Sequence, residues 1–359
     1  MTENRIDSRA PDVPALVRPG HPVGYRALTL EGPESRSLAC ALWYPAAPGT
    51  PPGIAYDTLI RDGVTPTRLL GSAREGADPA PGLTPPLVLI SHGYPGNRFL
   101  MSHLGEALAA RGLACAAIDH PGSTYDDQRG FSETLYYRPL DQRAALDALA
   151  RETGIDAART AVIGYSMGGY GALVFGGAGL TQAAVDEDWP GPAMDLARHR
   201  AGSATHVALA DPRVKALVAI GPWGRQRGLW DAATLGAMTT PLLLIAGDRD
   251  DISDHAAMRT IWAEAGGPAA LLTFHGAGHN AAAPIPAPAE ALVPSPHLDF
   301  LPADHYADPL WDSVLMNTLA QEVIAAFLAT HLSGGPADWR PDAAWLRSAA
   351  PHSLTLESR

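Results

Sequence analysis

Two early stretches, residues 23–30 (VGYRALTL) and 37–44 (SLACALWY), alternate apolar and polar positions with a period of two. That period predicts a pair of antiparallel strands. From residue 87 the pattern changes to short continuous apolar runs separated by helical ones. PLVLIS is followed by a helix near 98–111, ACAAID by a helix near 138–151, and TAVIG by a helix that starts at about Ser166. The rhythm resumes with VKALVAI near 214, PLLLIAG near 241 and AALLTF near 269, and it ends in an amphipathic helix near 310–332. Continuous apolar runs interleaved with helices predict parallel strands covered on both faces, an open α/β sheet.

Three stretches interrupt this rhythm. Residues 45–86 are rich in Pro and Gly, 179–211 are polar with helical pieces, and 281–309 are Pro-rich. The first reads as a surface excursion, because compact sequence continues on either side. The other two leave from the C-terminal ends of strands, where open α/β sheets build their sites, so all three are expected to wall a pocket. The resulting division is a loose lead-in over 1–20, one domain over 21–335 carrying these insertions, and a C-terminal tail over 336–359.

Composition narrows the options. With 46% hydrophobic and 18% charged residues the chain can bury a sizeable core, which excludes disorder for most of it. Its 26 basic residues against 38 acidic ones leave a net charge of −12, which speaks against nucleic acid or an anionic membrane as partner. No run approaches the ~18 apolar residues of a membrane span. The polar start MTENRIDSRAPDVP lacks the apolar region of a secretory signal, so the expected location is cytoplasmic. Cys40 and Cys115 sit inside apolar strand-like runs and read as buried thiols.

The candidate chemistry centres on Gly164-Tyr165-Ser166-Met167-Gly168-Gly169, between the strand TAVIG and a helical pattern. In that context G-x-S-x-G is a nucleophile elbow, a sharp turn that lifts the Ser166 hydroxyl above the sheet. A serine hydroxyl needs a histidine base held by a carboxylate. Asp250 at the end of LLLIAGDRD and His279 in HGAGHN supply them in the order Ser, acid, His; His275 is the competing base. Asp248 competes with Asp250 as the acid. The Met167 amide, and the Tyr94 amide in SHGYPG, are the expected oxyanion donors, with His92 bracing that loop. The acids 248, 250, 251 and 254 lack the pattern of a calcium loop, and HGAGH lacks the Glu of a zinc helix, so no metal or cofactor is expected.

The features PVGYRALTL, ALWYP, ISHGYPGNR, IDHPGSTYDDQ, GYSMGG and GAGHN resemble the α/β-hydrolases grouped with dienelactone hydrolases and plasma-type platelet-activating-factor acetylhydrolases. The resemblance runs from about Gly20 to the last long helix. It implies an α/β-hydrolase fold, with a mostly parallel eight-stranded sheet, helices on both faces and lid-like insertions. The implied activity is that of a serine esterase on small or short-acyl esters or lactones, without cofactor. Dienelactone hydrolases proper resemble this pattern with cysteine as nucleophile; serine at 166 favours ordinary esters over lactones. Tyr94, Met167 and Trp223 are also similar to the pattern of polyester-cleaving cutinases, which adds aromatic diesters to the candidates and makes Tyr94, Tyr165 and Trp223 expected substrate contacts. A peptidase or amidase, and a non-catalytic binding protein on the same fold, are the other readings. The expected partner is a small-molecule ester.

Overall fold

A computed structural model describes residues 3–349 and 353–359. Its strands in chain order are β1 (Val23–Glu31), β2 (Ser37–Pro45), β3 (Ile54–Leu59), β4 (Pro66–Gly71), β5 (Arg74–Glu75), β6 (Pro86–Ser91), β7 (Ala114–Ile118), β8 (Asp156–Tyr165), β9 (Val214–Ile220), β10 (Leu242–Gly247), β11 (Ala269–Phe274) and β12 (Leu354–Ser358). The helices are α1 (Ser102–Ala109), α2 (Phe131–Leu149), α3 (Met167–Phe175), α4 (Gln182–Asp186), α5 (Ala204–Leu209), α6 (Ala232–Gly236), α7 (His255–Glu264), α8 (Ser313–Ser333) and α9 (Ala343–Ala349).

One sheet runs in the order β12-β11-β10-β9-β8-β6-β7-β2-β1-β5. Strands β6 to β11 are parallel, whereas β1, β2 and β12 join antiparallel. The parallel strands are apolar throughout because alternate residues enter two different cores. Ile163, Val218, Ile245 and Leu272 face α1 and α8, while Val162, Leu217, Leu244 and Leu271 face α2, α3 and α7. The expected eight strands are all present, and a short strand is added at each edge.

Both chain ends differ from the expected loose lead-in and tail. The C-terminal stretch is no loose tail among its described residues: β12 pairs with β11 from Leu354↔Phe274 to Ser358↔Ala270, and Arg259 holds Glu357 through both oxygens. Residues 350–352 of that stretch lie outside the described residues. The lead-in forms neither helix nor extended strand, yet Ile6 and Val13 are buried. The buried Glu322 of α8 accepts the Leu16 amide and pairs with Arg9 and Arg111. Its first two residues are likewise outside the described ones. The 45–86 excursion contains the β3/β4 ribbon, fastened where the buried Glu106 of α1 accepts from Tyr56 and Ser72.

Helix α2 starts seven residues before the expected 138 because the chain runs helically through Pro139. A proline reads as a helix start, since it removes an amide from the helix ladder. Here the Leu135 carbonyl that Pro139 cannot serve accepts the Tyr170 hydroxyl at 2.8 Å. Helix α8 is long and apolar enough by composition to cross a membrane, although polar residues interrupt its apolar run, and 72% of that window is buried in the protein. Its apolar surround reflects a position inside the core.

Candidate active site

The C-terminal ends of β6, β8, β10 and β11 converge on one place. Ser166 follows β8 with φ 52° and ψ −113°, a positive-φ conformation costly for any side chain with a Cβ. The turn survives because its surroundings over-determine it. The Ser166 amide donates to Ile220 O at 2.9 Å, and its carbonyl accepts from the Tyr170 and Trp223 amides. A Cβ at Gly164 would lie 2.1 Å from the Gly168 carbonyl, and one at Gly168 would lie 2.0 Å from that of Ser91. These two positions admit glycine alone, which is the physical content of the motif.

Ser166 Oγ stands 2.9 Å from His279 Nε2, and His279 Nδ1 stands 2.9 Å from Asp250 Oδ2. The Asp250 side chain is fully buried, and its other oxygen accepts the Ile252 and Ser253 amides at 2.9 and 2.8 Å. Those bonds aim the carboxylate, so that His279 Nδ1 donates to it and Nε2 is offered to the serine. Asp248 is elsewhere: it accepts from His275 Nδ1 at 2.9 Å and from the Gly276 amide at 2.6 Å. The two aspartates thus serve two different histidines, and His275 lies away from Ser166. The His279 loop is tied down by Asp308, which accepts the Gly278 amide. Asn280 helps too, donating to two carbonyls of the 281–309 segment and accepting the Tyr165 hydroxyl.

Gly93 and Tyr94 lie beside the serine; a Cβ on Gly93 would come 3.4 Å from Ser166 Cβ. Behind this loop is a group that sequence reasoning missed. Arg138, on α2, is buried, and its four terminal N–H groups donate to the carbonyls of His92 and Gly93 and to the hydroxyls of Ser91 and Ser123. Burial lowers its pKa to about 9. His92 Nε2 accepts the His120 amide, so its proton is on Nδ1, which donates to Gly93 O at 2.7 Å. Burial holds both His92 and His120 well below the usual imidazole range, hence neutral. Ser91, His120 and Asp141 continue the line inward at 2.8 and 2.9 Å. Burial raises Asp141 to about 7, against the pull of Arg36 and Arg138. The Gly93–Tyr94 peptide is trans, so its N–H points opposite to the carbonyl that Arg138 and His92 hold. The Tyr94 amide is thereby turned away from the interior. The Met167 amide opens α3, where the first N–H groups have no intrahelical acceptor.

The cleft above these groups measures about 1040 Å³. Gly93, Tyr94, Tyr165, Ser166 and His279 lie in its lining, with Arg61 from the 45–86 stretch and Phe300, Asp304, His305 and Asp308 among those from 281–309. Residues 179–211 contribute nothing to the lining, a correction to their expected role: Trp189 packs instead against Phe131 and Trp223. Trp223 is a second correction, because its ring lies edge-on to Phe131 at 5.0 Å rather than in the cleft. Cys40 and Cys115 are buried and free, with burial pushing the Cys40 thiol up to about 12. Among the described residues no cluster of His, Cys, Asp and Glu could hold a metal ion.

Comparison with known proteins agrees with this architecture. Residues 86–177 match the model of the alpha/beta hydrolase fold family, and that segment contains the Ser91–Gly96 loop and the Ser166 turn. An uncharacterized protein of Mycobacterium tuberculosis is 28% identical over 204 residues, 54% of this chain and 63% of its own. A cutinase of Thermobifida alba is 27% identical over 172 residues, 46% of this chain and 43% of its own. The chain therefore spans less than two thirds of the length of the curated relatives it matches. A ferulic acid esterase from Streptomyces cinnamoneus superposes with a TM-score of 0.66 at 21% identity, covering 99% of both chains. Strand order, serine turn and matched segment together give this chain the α/β-hydrolase fold.

Proposed function

We propose that this chain is a carboxylic ester hydrolase that works through an acyl-enzyme on Ser166. The observation that carries the reading is the unbroken line Ser166–His279–Asp250, at 2.9 Å for each link, beneath an open cleft. His279 Nε2 takes the hydroxyl proton as Ser166 Oγ attacks the ester carbonyl carbon, and Asp250 supports the imidazolium that forms. The carbonyl oxygen becomes an oxyanion held by the Tyr94 and Met167 amides. Collapse expels the alcohol, protonated by His279; water, deprotonated by the same nitrogen, then releases the acid. The dienelactone hydrolase and acetylhydrolase resemblance belongs to this reading, with serine rather than cysteine attacking.

Short-acyl esters are the first substrates to expect. A second reading, an aromatic diester or polyester as the substrate, is favoured by the cleft's size and rim. Ile252, Phe300 and Leu310, exposed to 53%, 38% and 76%, all border it, leaving an apolar margin suited to a large substrate. The cutinase of Thermobifida alba among the relatives supports the same extension. Hydrolysis of 4-nitrophenyl esters of graded acyl length, alongside an aromatic diester, a lactone and a matched amide, tests both readings. Ester turnover that disappears in Ser166→Ala is expected; amide turnover without ester turnover would contradict the proposal.

A further inference from the structure

Two arginines that form no ion pair among the described residues line the cleft, the exposed Arg249 and the half-buried Arg61, and the withdrawn one is the one in need of a partner. Arg61, in the turn that follows β3, lines the cleft with its guanidinium 5.5 Å from the centre of the Phe300 ring. Among the described residues it forms no ion pair and donates no hydrogen bond from its side chain. Burial lowers its pKa, and the titratable groups whose charge acts on it are Tyr125, Tyr306 and Tyr94, all neutral at pH 7. Its neighbour Asp62 is committed to Thr65, Val64 and Ser295. Of the acids along the cleft, Asp308 is committed to the amides of Gly278, Leu310 and Trp311, and the exposed Asp251 and Asp304 form no ion pair with Arg61 among the described residues.

Other withdrawn arginines show what a guanidinium in this protein otherwise receives. Arg36 has Asp141, Arg98 has Asp119 and Arg111 has Glu322, while Arg138 has four carbonyl and hydroxyl oxygens; Arg61 has neither kind of partner among the described residues. A partly desolvated cation left unpaired is unfavourable, and the geometry a guanidinium matches best is a carboxylate taken through two parallel bonds. Tyr94, which follows the Gly93 that abuts Ser166, lines the same cleft as Arg61. Phe300, beside the guanidinium, offers an apolar face for whatever spans the distance. The net charge of −12 repels anions at long range, so recognition of one must come from a local group such as this.

We infer that Arg61 anchors a carboxylate on the substrate, so that the preferred esters are those carrying a free carboxylate across an aryl or short aliphatic spacer from the scissile bond. The inference rests on the reading of Ser166 as nucleophile, and two separate arms test them. Ester hydrolysis by wild type against Ser166→Ala tests the nucleophile. The anchor is tested by kcat/KM for the monomethyl and dimethyl esters of terephthalate, and of adipate, in wild type and Arg61→Gln. The expected result is that the monoester-to-diester ratio falls about ten- to hundredfold in Arg61→Gln, chiefly through KM, the range one charge-assisted pair spans. Arg61→Lys should recover part of it. Apart from its contact with the Phe300 ring, the Arg61 side chain holds no other described residue, and equal melting temperatures would show that the fold is kept. Free terephthalate should also slow fluorophosphonate labelling of Ser166 in wild type more than in Arg61→Gln. A ratio unchanged by Arg61→Gln would overturn the inference. If these methyl esters are not turned over, equal protection of the two proteins, or none, would overturn it.

Discussion

Replacing Arg138 by Met isolates the part of the site that lies behind the oxyanion loop. The substitution keeps the length and apolar stem of the side chain and removes four donated bonds, two of them to consecutive carbonyls. The His92 carbonyl loses the charged donor, while Gly93 O keeps the bond from His92 Nδ1. Complete loss of one oxyanion donor costs about 10² to 10³ in kcat, or about 3 to 4 kcal/mol. Since one of two braces survives, the expected fall is about 10 to 10², with KM changed less than threefold because the ground-state carbonyl gains little from the hole. Stability should fall by about 1 to 3 kcal/mol, the cost of a buried polar group left unpaired, moderated by no longer burying a charge. Steady-state kinetics on 4-nitrophenyl butyrate, inhibition by a boronic acid and circular dichroism read these effects. The boronic acid, which mimics the tetrahedral state, should weaken in parallel with kcat. Ser123→Ala, which removes one bond to the same guanidinium, gives a milder step of about three- to tenfold should the first variant fold poorly. A folded Arg138→Met enzyme with kcat within twofold of wild type would refute the reasoning.

The two aspartates after β10 separate cleanly. Asp250→Asn should lower kcat by at least about 10², by disturbing the tautomer of His279, and Asp248→Asn by less than about tenfold; a reversed order would show that the orienting acid is misassigned. Acid should weaken the fold between pH 6.5 and 4. Burial lowers His103 and His199 to about 4, so the unfolded chain binds protons there that the native one does not. Stability is then full above about 6.5 and is lost as pH falls through the window, and His103→Gln should make the fall in Tm shallower; an unaltered slope would contradict the assignment to buried histidine. Cys40→Ala with Cys115→Ala should leave turnover within a few-fold, checked by kinetics on the double variant, whereas a collapse with an intact fold would implicate a thiol.

Much of the site was legible because its chemistry is written in contiguous segments at strand ends. Gly164 and Gly168 are demanded by local collisions, and Asp250 and His279 each follow their strand within a few residues, so strand reading alone brings them to one edge. Asp248 and Asp250 share a strand end, and only their partners, His275 and His279, tell them apart in space. Arg138 was not legible: a cation next to a proline in a helical pattern reads as solvated surface, and the two carbonyls it holds are 46 and 45 residues earlier in the chain. Trp223 misled for the opposite reason. It follows a strand end, as a cleft residue should, but Gly221 and Gly224, both at positive φ, bend the chain so that the ring turns toward Phe131. Which insertions wall the cleft was equally hidden, because residues 179–211 are drawn aside by aromatic packing that no local pattern announces.

The central claim is that Ser166 carries the acyl group. Mixing the protein with 4-nitrophenyl acetate, quenching in acid within the first turnovers and digesting for mass spectrometry examines this directly. The expected result is a burst of 4-nitrophenol approaching one per chain, with an acetyl group on the peptide containing Ser166, and neither in Ser166→Ala. An acetyl group found on another side chain, or turnover above a tenth of wild type in Ser166→Ala, would contradict the account.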